Sequence, residues 1–152
     1  MSEATDEARL KQVVFPLGDA YCRIKPQFEQ QFPGSTLTVA QGYRTPDMQN
    51  AAHLGGASRF DGTKTFSLHQ WFFSRAIDVA VIENGAIVSD GRDNRYEWLG
   101  IQFEAEGFEW GGRFSRPDFD HFQMPSVGPT ASQVAMGFDH YQQGGEDATP
   151  TA

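Results

Sequence analysis

The sequence contains a single cysteine, Cys22. One thiol excludes an internal disulfide framework and any cysteine-rich zinc site, and Cys22 is expected to be a small core residue on a helix. Long apolar runs are also absent. No window approaches the ~20 consecutive apolar residues that a membrane span requires. Positive charge is scarce: 12 Lys and Arg face 20 Asp and Glu, for a net charge of -8 and a pI near 4.8. Phosphate neutralisation needs clustered cations, so a general nucleic-acid binder is excluded. Simple attraction to anionic membranes or wall polymers is excluded with it. The start, MSEATDEARLKQ, lacks a basic segment followed by an apolar stretch, so no secretory signal is expected. Neither an internal repeat nor a dividing linker is visible.

What is present suits one compact domain. The 152 residues are 39% hydrophobic and 13% aromatic, which is enough apolar material for one core. Sixteen glycines and eight prolines imply many turns, and a mixed, loop-rich fold rather than a bundle. Residues 1–143 are expected to form the domain and 144–152 a disordered tail.

Periodicity predicts the elements. Leu10, Val13, Val14, Leu17, Tyr21, Ile24 and Phe28 mark a helical face over 5–31, which Pro16 and Pro26 should kink or split in two. Thr36 to Gln41 alternates as a strand. Thr45 is a natural N-cap with Pro46 at the first helical position, opening a short helix through about His53. Residues 55–66 read as a polar loop. Arg75 to Ile82 alternates, with Ala76, Asp78 and Ala80 on one face and Ile77, Val79 and Val81 on the other. A short partner strand over 86–89, a helix over 94–106 stopped by Gly107, a strand over 119–124 and a helix from Thr130 to about Gln142 complete the pattern.

Four histidines are present, at 53, 69, 121 and 140. A catalytic zinc site wants about three nitrogen or oxygen ligands and an open position. SLHQWFFSRAID offers His69 and Asp78; PDFDHFQ offers His121 with Asp118 and Asp120 close by. Spacing alone makes a weak case, since an isolated histidine is ordinarily a surface or satisfied core residue.

Four segments change that weighing. SLHQWFFSRAIDV resembles the Ser-x-His-(x)n-Ala-x-Asp signature of the D-alanyl-D-alanine and L-alanyl-D-glutamate metallopeptidases, a superfamily that includes the zinc fold of hedgehog signalling domains. QGYRTPDMQN, GFEWGGRF and PDFDHFQ resemble that family's Gly-Tyr-Arg-Ser/Thr-x-x-x-Gln turn, Gly-Phe-x-Trp-Gly-Gly block and closing Asp-x-x-His-Phe-Gln/Glu. They occur in the family's order and together span residues 41–123.

The resemblance implies an α+β domain: a small, mostly antiparallel sheet with flanking helices, hedgehog/DD-peptidase-like. It implies one catalytic Zn2+ on His69, Asp78 and His121. Asp118 would be the general base and Arg44 the oxyanion or substrate-carboxylate partner. Ser67, Gln70 and Trp110 are candidate substrate contacts, with Gln70 or Gln123 supporting the ligands. Asp120 competes for the base role but, by alternation, should face away from the metal. His53 is expected at the surface or cleft rim, and His140 in a structural role.

One departure stands out. His69 and Asp78 are nine apart where the common pattern has seven, with Phe72-Phe73-Ser74 in place of the usual glycine. A two-residue bulge before the strand would keep Asp78 on its face, because an even insertion preserves alternation.

The expected function is hydrolysis of a bacterial peptidoglycan stem peptide by a monomer, most like phage endolysins that cut between L-alanine and D-glutamate. Such a lysin would be made in the host cytoplasm and act on the wall after release; a virion-associated enzyme fits almost as well. The rivals are a D-Ala-D-Ala carboxypeptidase, a non-catalytic wall-binding module in which zinc is absent or structural and closed by a fourth ligand such as His53, and a structural or virion protein without metal.

Overall fold

A computed structural model describes residues 3–144. The expected tail falls almost wholly on 145–152, outside the described residues.

The amphipathic N-terminal segment is two helices, α1 (Glu3–Leu10) and α2 (Phe15–Gln31). Pro16 opens the second, where its missing N–H costs nothing. The expected split thus falls before Pro16, and Pro26 lies inside α2, its ring on the exposed face, where water can take the freed carbonyl. Cys22 is exposed rather than buried, because it sits off the Leu17–Tyr21–Ile24–Phe28 stripe that packs inward.

Next come β1 (Ser35–Gln41), α3 (Pro46–Leu54), a 3-10 turn (Leu68–Gln70), β2 (Ala76–Glu83) and β3 (Ala86–Ile87). The chain continues with α4 (Asn94–Ala105), β4 (Glu109–Trp110), a second 3-10 turn (Gly111–Arg113), β5 (His121–Gln123) and α5 (Ala131–Gln142). The expected α+β fold is present. All strand pairs are antiparallel, in the order β1-β2-β5-β4, with β3 beside the far end of β2. Ile77, Val79 and Val81 of β2, Leu37 and Val39 of β1 and Phe122 of β5 bury one sheet face against Leu17, Ile24, Phe28, Leu99 and Phe103 of the helices. Ala76, Asp78 and Ala80 take the other face, as their alternation requires.

The edge strand β1 is closed by a helix. Asp6 Oδ1 accepts from Val39 N (3.0 Å) and Thr38 Oγ1 (2.6 Å), while Arg9 Nη1 donates to Val39 O (2.6 Å). Two side chains three apart on α1 thus stand in for a neighbouring strand, which blunts a sticky edge. Tyr21 Oη donates to the other Asp6 oxygen at 2.9 Å, tying in α2.

Candidate active site

The site grows on the polar face of the β2–β5 pair. Asp78 and His121 are cross-strand partners there, which places their side chains together. His69 arrives from the 3-10 turn. Ser67 caps that turn by accepting from His69 N (3.1 Å), and Gln70 Oε1 accepts in return from Ser67 N (3.1 Å). The Phe72–Phe73 excess is absorbed before β2: Phe72 packs on Tyr43 and Tyr141 with ring centroids 4.9 and 5.9 Å apart. Asp78 keeps its face.

Ligand atoms of His69, Asp78 and His121 all lie within 4.8 Å of one another. His69 Nδ1 is 2.7 Å from the Gly42 carbonyl, which can only accept, so this nitrogen carries the proton. Its Nε2 is then a lone pair, buried and without a hydrogen-bond partner, 3.3 Å from Asp78 Oδ1. An orphaned, fully enclosed acceptor beside a carboxylate and a second imidazole fits a divalent metal. Burial holds the His69 pKa below its ordinary value, which keeps the ring neutral, as a ligand must be. Asp78 is held well below the carboxylate range despite its burial, by its two imidazole neighbours His69 and His121. His121 is raised, since hydrogen bonding and charge from Asp78 outweigh the burial that opposes it.

Arg44 donates to Asp78 Oδ2 at 3.2 Å and to Gln49 Oε1 at 3.1 Å. Gln49 is fully buried, and its amide nitrogen is spent on Ser58 Oγ and the Phe60 carbonyl, so its oxygen must face Arg44. The sequence reading gave Gln49 no role, although it closes the Gly-Tyr-Arg turn.

Asp118 stands at the mouth of the site. Its side chain is 48% exposed, with Oδ2 3.9 Å from His121 Nδ1. The Gly-Gly block explains its placement. Gly111 O accepts from Asp118 N (2.9 Å), and a Cβ at Gly111 would lie 2.2 Å from Asp118 O and 3.0 Å from His121 Cβ. Only glycine permits that approach.

Two expectations are corrected. Asp120 does not face away: its carboxylate clusters with Asp78 and Asp118 within 4.8 Å. The strand begins only at His121, so residues 118–120 form a turn where alternation does not apply. Burial, then the charges of Asp78 and Asp118, push the Asp120 carboxyl up to about 8. Ser67, Gln70 and Trp110 are buried behind the site and use their polar atoms internally, Trp110 Nε1 donating to Phe119 O at 2.7 Å. They build the site from behind. His53 lies outside the ligand cluster, with Nδ1 3.0 Å from Ser58 O. His140 packs edge-on to Phe72, in a structural position.

A cleft of about 400 Å³ opens beside the carboxylates, lined by Ala40, Ala80, Val88, Tyr96, Asp118 and Asp120 among others. Phe114 flanks His121 at the rim, with ring centroids 5.8 Å apart.

Residues 61–124 match the sequence model of a family described as D-alanyl-D-alanine carboxypeptidase. The fold is similar to the crystal structure of the L-Ala D-Glu endopeptidase ChiX of Serratia marcescens, with a TM-score of 0.60 and 21% identity over 81% of this chain and 88% of that one. The matched segment contains His69, Asp78, Asp118 and His121.

Proposed function

We propose that the protein is a zinc-dependent peptidoglycan peptidase, an L-alanyl-D-glutamate endopeptidase of the phage endolysin type. The observation that carries this reading is the buried, unpartnered Nε2 of His69, aimed at Asp78 beside His121. Three nitrogen and oxygen donors, with no fourth histidine or cysteine clustered on them among the described residues and with Asp118 exposed at their edge, make the donor set of a catalytic zinc site rather than a closed structural one. Zinc held there supplies a Lewis acid for the scissile carbonyl and lowers the pKa of water toward ~7.

The rest falls to side chains. Asp118, exposed at the mouth, takes the proton of the attacking water and returns it to the leaving amine. Arg44 sits on the far oxygen of Asp78, held by Gln49, where its charge stabilises the negative charge that builds up on the carbonyl oxygen. The cleft beside Asp118 gives room for peptide next to that base.

The choice of bond is supported by the motif set and by the activity named for the Serratia enzyme. A second reading, D-alanine release from a stem terminus, is favoured by the description of the matching family. Digestion of purified peptidoglycan separates them. New N-terminal D-glutamate ends support the endopeptidase, free D-alanine selects the carboxypeptidase, and bound zinc without cleavage leaves a wall-binding module.

A further inference from the structure

The two histidines are oriented by different means. His69 is fixed by a backbone carbonyl, whereas His121 depends on side chains. His121 Nε2 lies 2.7 Å from Gln123 Oε1, and Gln123 Nε2 donates to Glu109 Oε1 at 2.7 Å. A carboxylate only accepts, so Gln123 must turn its NH2 to Glu109 and its carbonyl to His121. That carbonyl also only accepts, so His121 Nε2 must carry a proton. Nδ1 is then the nitrogen left to face a metal, 3.1 Å from the Asp78 oxygen that His69 Nε2 also faces. The strand register enforces the chain of contacts, because Glu109 and Gln123 are cross-strand partners on β4 and β5.

We infer that Glu109, an exposed residue outside the ligand set, is a positioning residue for the metal site: through Gln123 it commits His121 to bind by Nδ1. Without Glu109 the Gln123 amide is free to rotate half a turn and set NH2 against N–H, which loosens the ring. A hydrogen-bond acceptor on the second ring nitrogen is general at metal-bound imidazoles, and loss of such outer partners costs about 10- to 100-fold in metal affinity. This inference rests on the zinc reading above.

The test uses no peptide substrate. Zinc affinity is measured by competition with a chromophoric chelator, and ring-nitrogen NMR of the zinc-loaded, 15N-labelled protein reads which His121 nitrogen carries the proton. In the wild-type protein the proton is expected on Nε2. Glu109→Ala is expected to weaken zinc about ten-fold and to speed exchange of that proton with solvent. Adding Gln123→Glu to Glu109→Ala supplies an acceptor that cannot flip, and should restore both readouts. Wild-type affinity and exchange in Glu109→Ala would overturn the relay while leaving zinc binding intact, as would failure of the double variant to recover. A wild-type protein that binds no zinc would overturn the zinc reading and the relay together. Zinc bound and the relay observed, but no peptidoglycan cut, would sink the peptidase reading alone.

Discussion

His69 and His121 turn different ring nitrogens toward the same atom: Nε2 of one and Nδ1 of the other lie 3.3 and 3.1 Å from Asp78 Oδ1. The Gly42 carbonyl and the Gln123 amide oxygen hold the opposite nitrogens and so set this convergence. Removing either imidazole leaves two donors, too few for tight zinc binding. His69→Ala and His121→Ala should therefore each lose metal and activity together. Stoichiometric zinc in both purified variants would refute the ligand assignment.

Asp118 stands exposed at the mouth of the site and lies outside the His-Asp-His set. Asp118→Ala should keep zinc and lose roughly 10²- to 10⁴-fold in turnover, the usual range for a general base. Near-normal turnover on peptidoglycan fragments would remove Asp118 from the chemistry.

Gly111 lets the loop close onto Asp118 and His121. Gly111→Ala must push that backbone apart, at a cost of about 1–3 kcal/mol in stability. Activity should fall by more than the loss of folded protein explains. Activity per folded molecule equal to wild type would show that the tight approach does not matter.

Asp120 makes stability depend on pH in the metal-free protein. Its carboxyl titrates at about 8 when folded, against roughly 3.9 in an unfolded chain. Between those values the folded state holds a proton that the unfolded state has lost. The contribution is full below about pH 4 and is lost as pH rises through about 8. The Tm advantage of Asp120→Asn over wild type, measured with chelator present, should grow between about pH 5 and pH 8.5. A pH-independent difference would contradict the shift.

Asp6 holds three donors from two elements: Tyr21 Oη, Thr38 Oγ1 and Val39 N. Asp6→Ala strands them at a buried edge, at a cost of about 3 kcal/mol, read as a lower midpoint in urea unfolding. A change below about 0.5 kcal/mol, the size of an ordinary surface substitution, would show that water replaces the carboxylate.

Elements with strong local signals were legible in the sequence. Thr45 with Pro46 starts α3, alternation over 76–82 gives β2 with Asp78 on the polar face, and Thr130 caps α5. Legibility failed where tertiary context decides. Strand alternation was extended to Asp120, but the backbone turns until His121. Cys22 is small enough for a core, but the helix stripe runs past it. Ser67, Gln70 and Trp110 stand in the right motifs yet build the walls of the site, a distinction that burial shows and spacing does not. Gln49 and Glu109 orient Arg44 and His121 through contacts five residues away on the chain and across β5, respectively. Both stood inside quoted motifs as unassigned letters.

The most direct test is mass spectrometry of purified peptidoglycan digested by the zinc-loaded protein, by the chelated protein, and by the chelated protein with zinc returned. New N-terminal D-glutamate ends that vanish on chelation and reappear with zinc are the expected result. Cleavage indifferent to chelation, or no cleavage by a protein carrying about one zinc per chain, would contradict a zinc peptidase built on His69, Asp78 and His121.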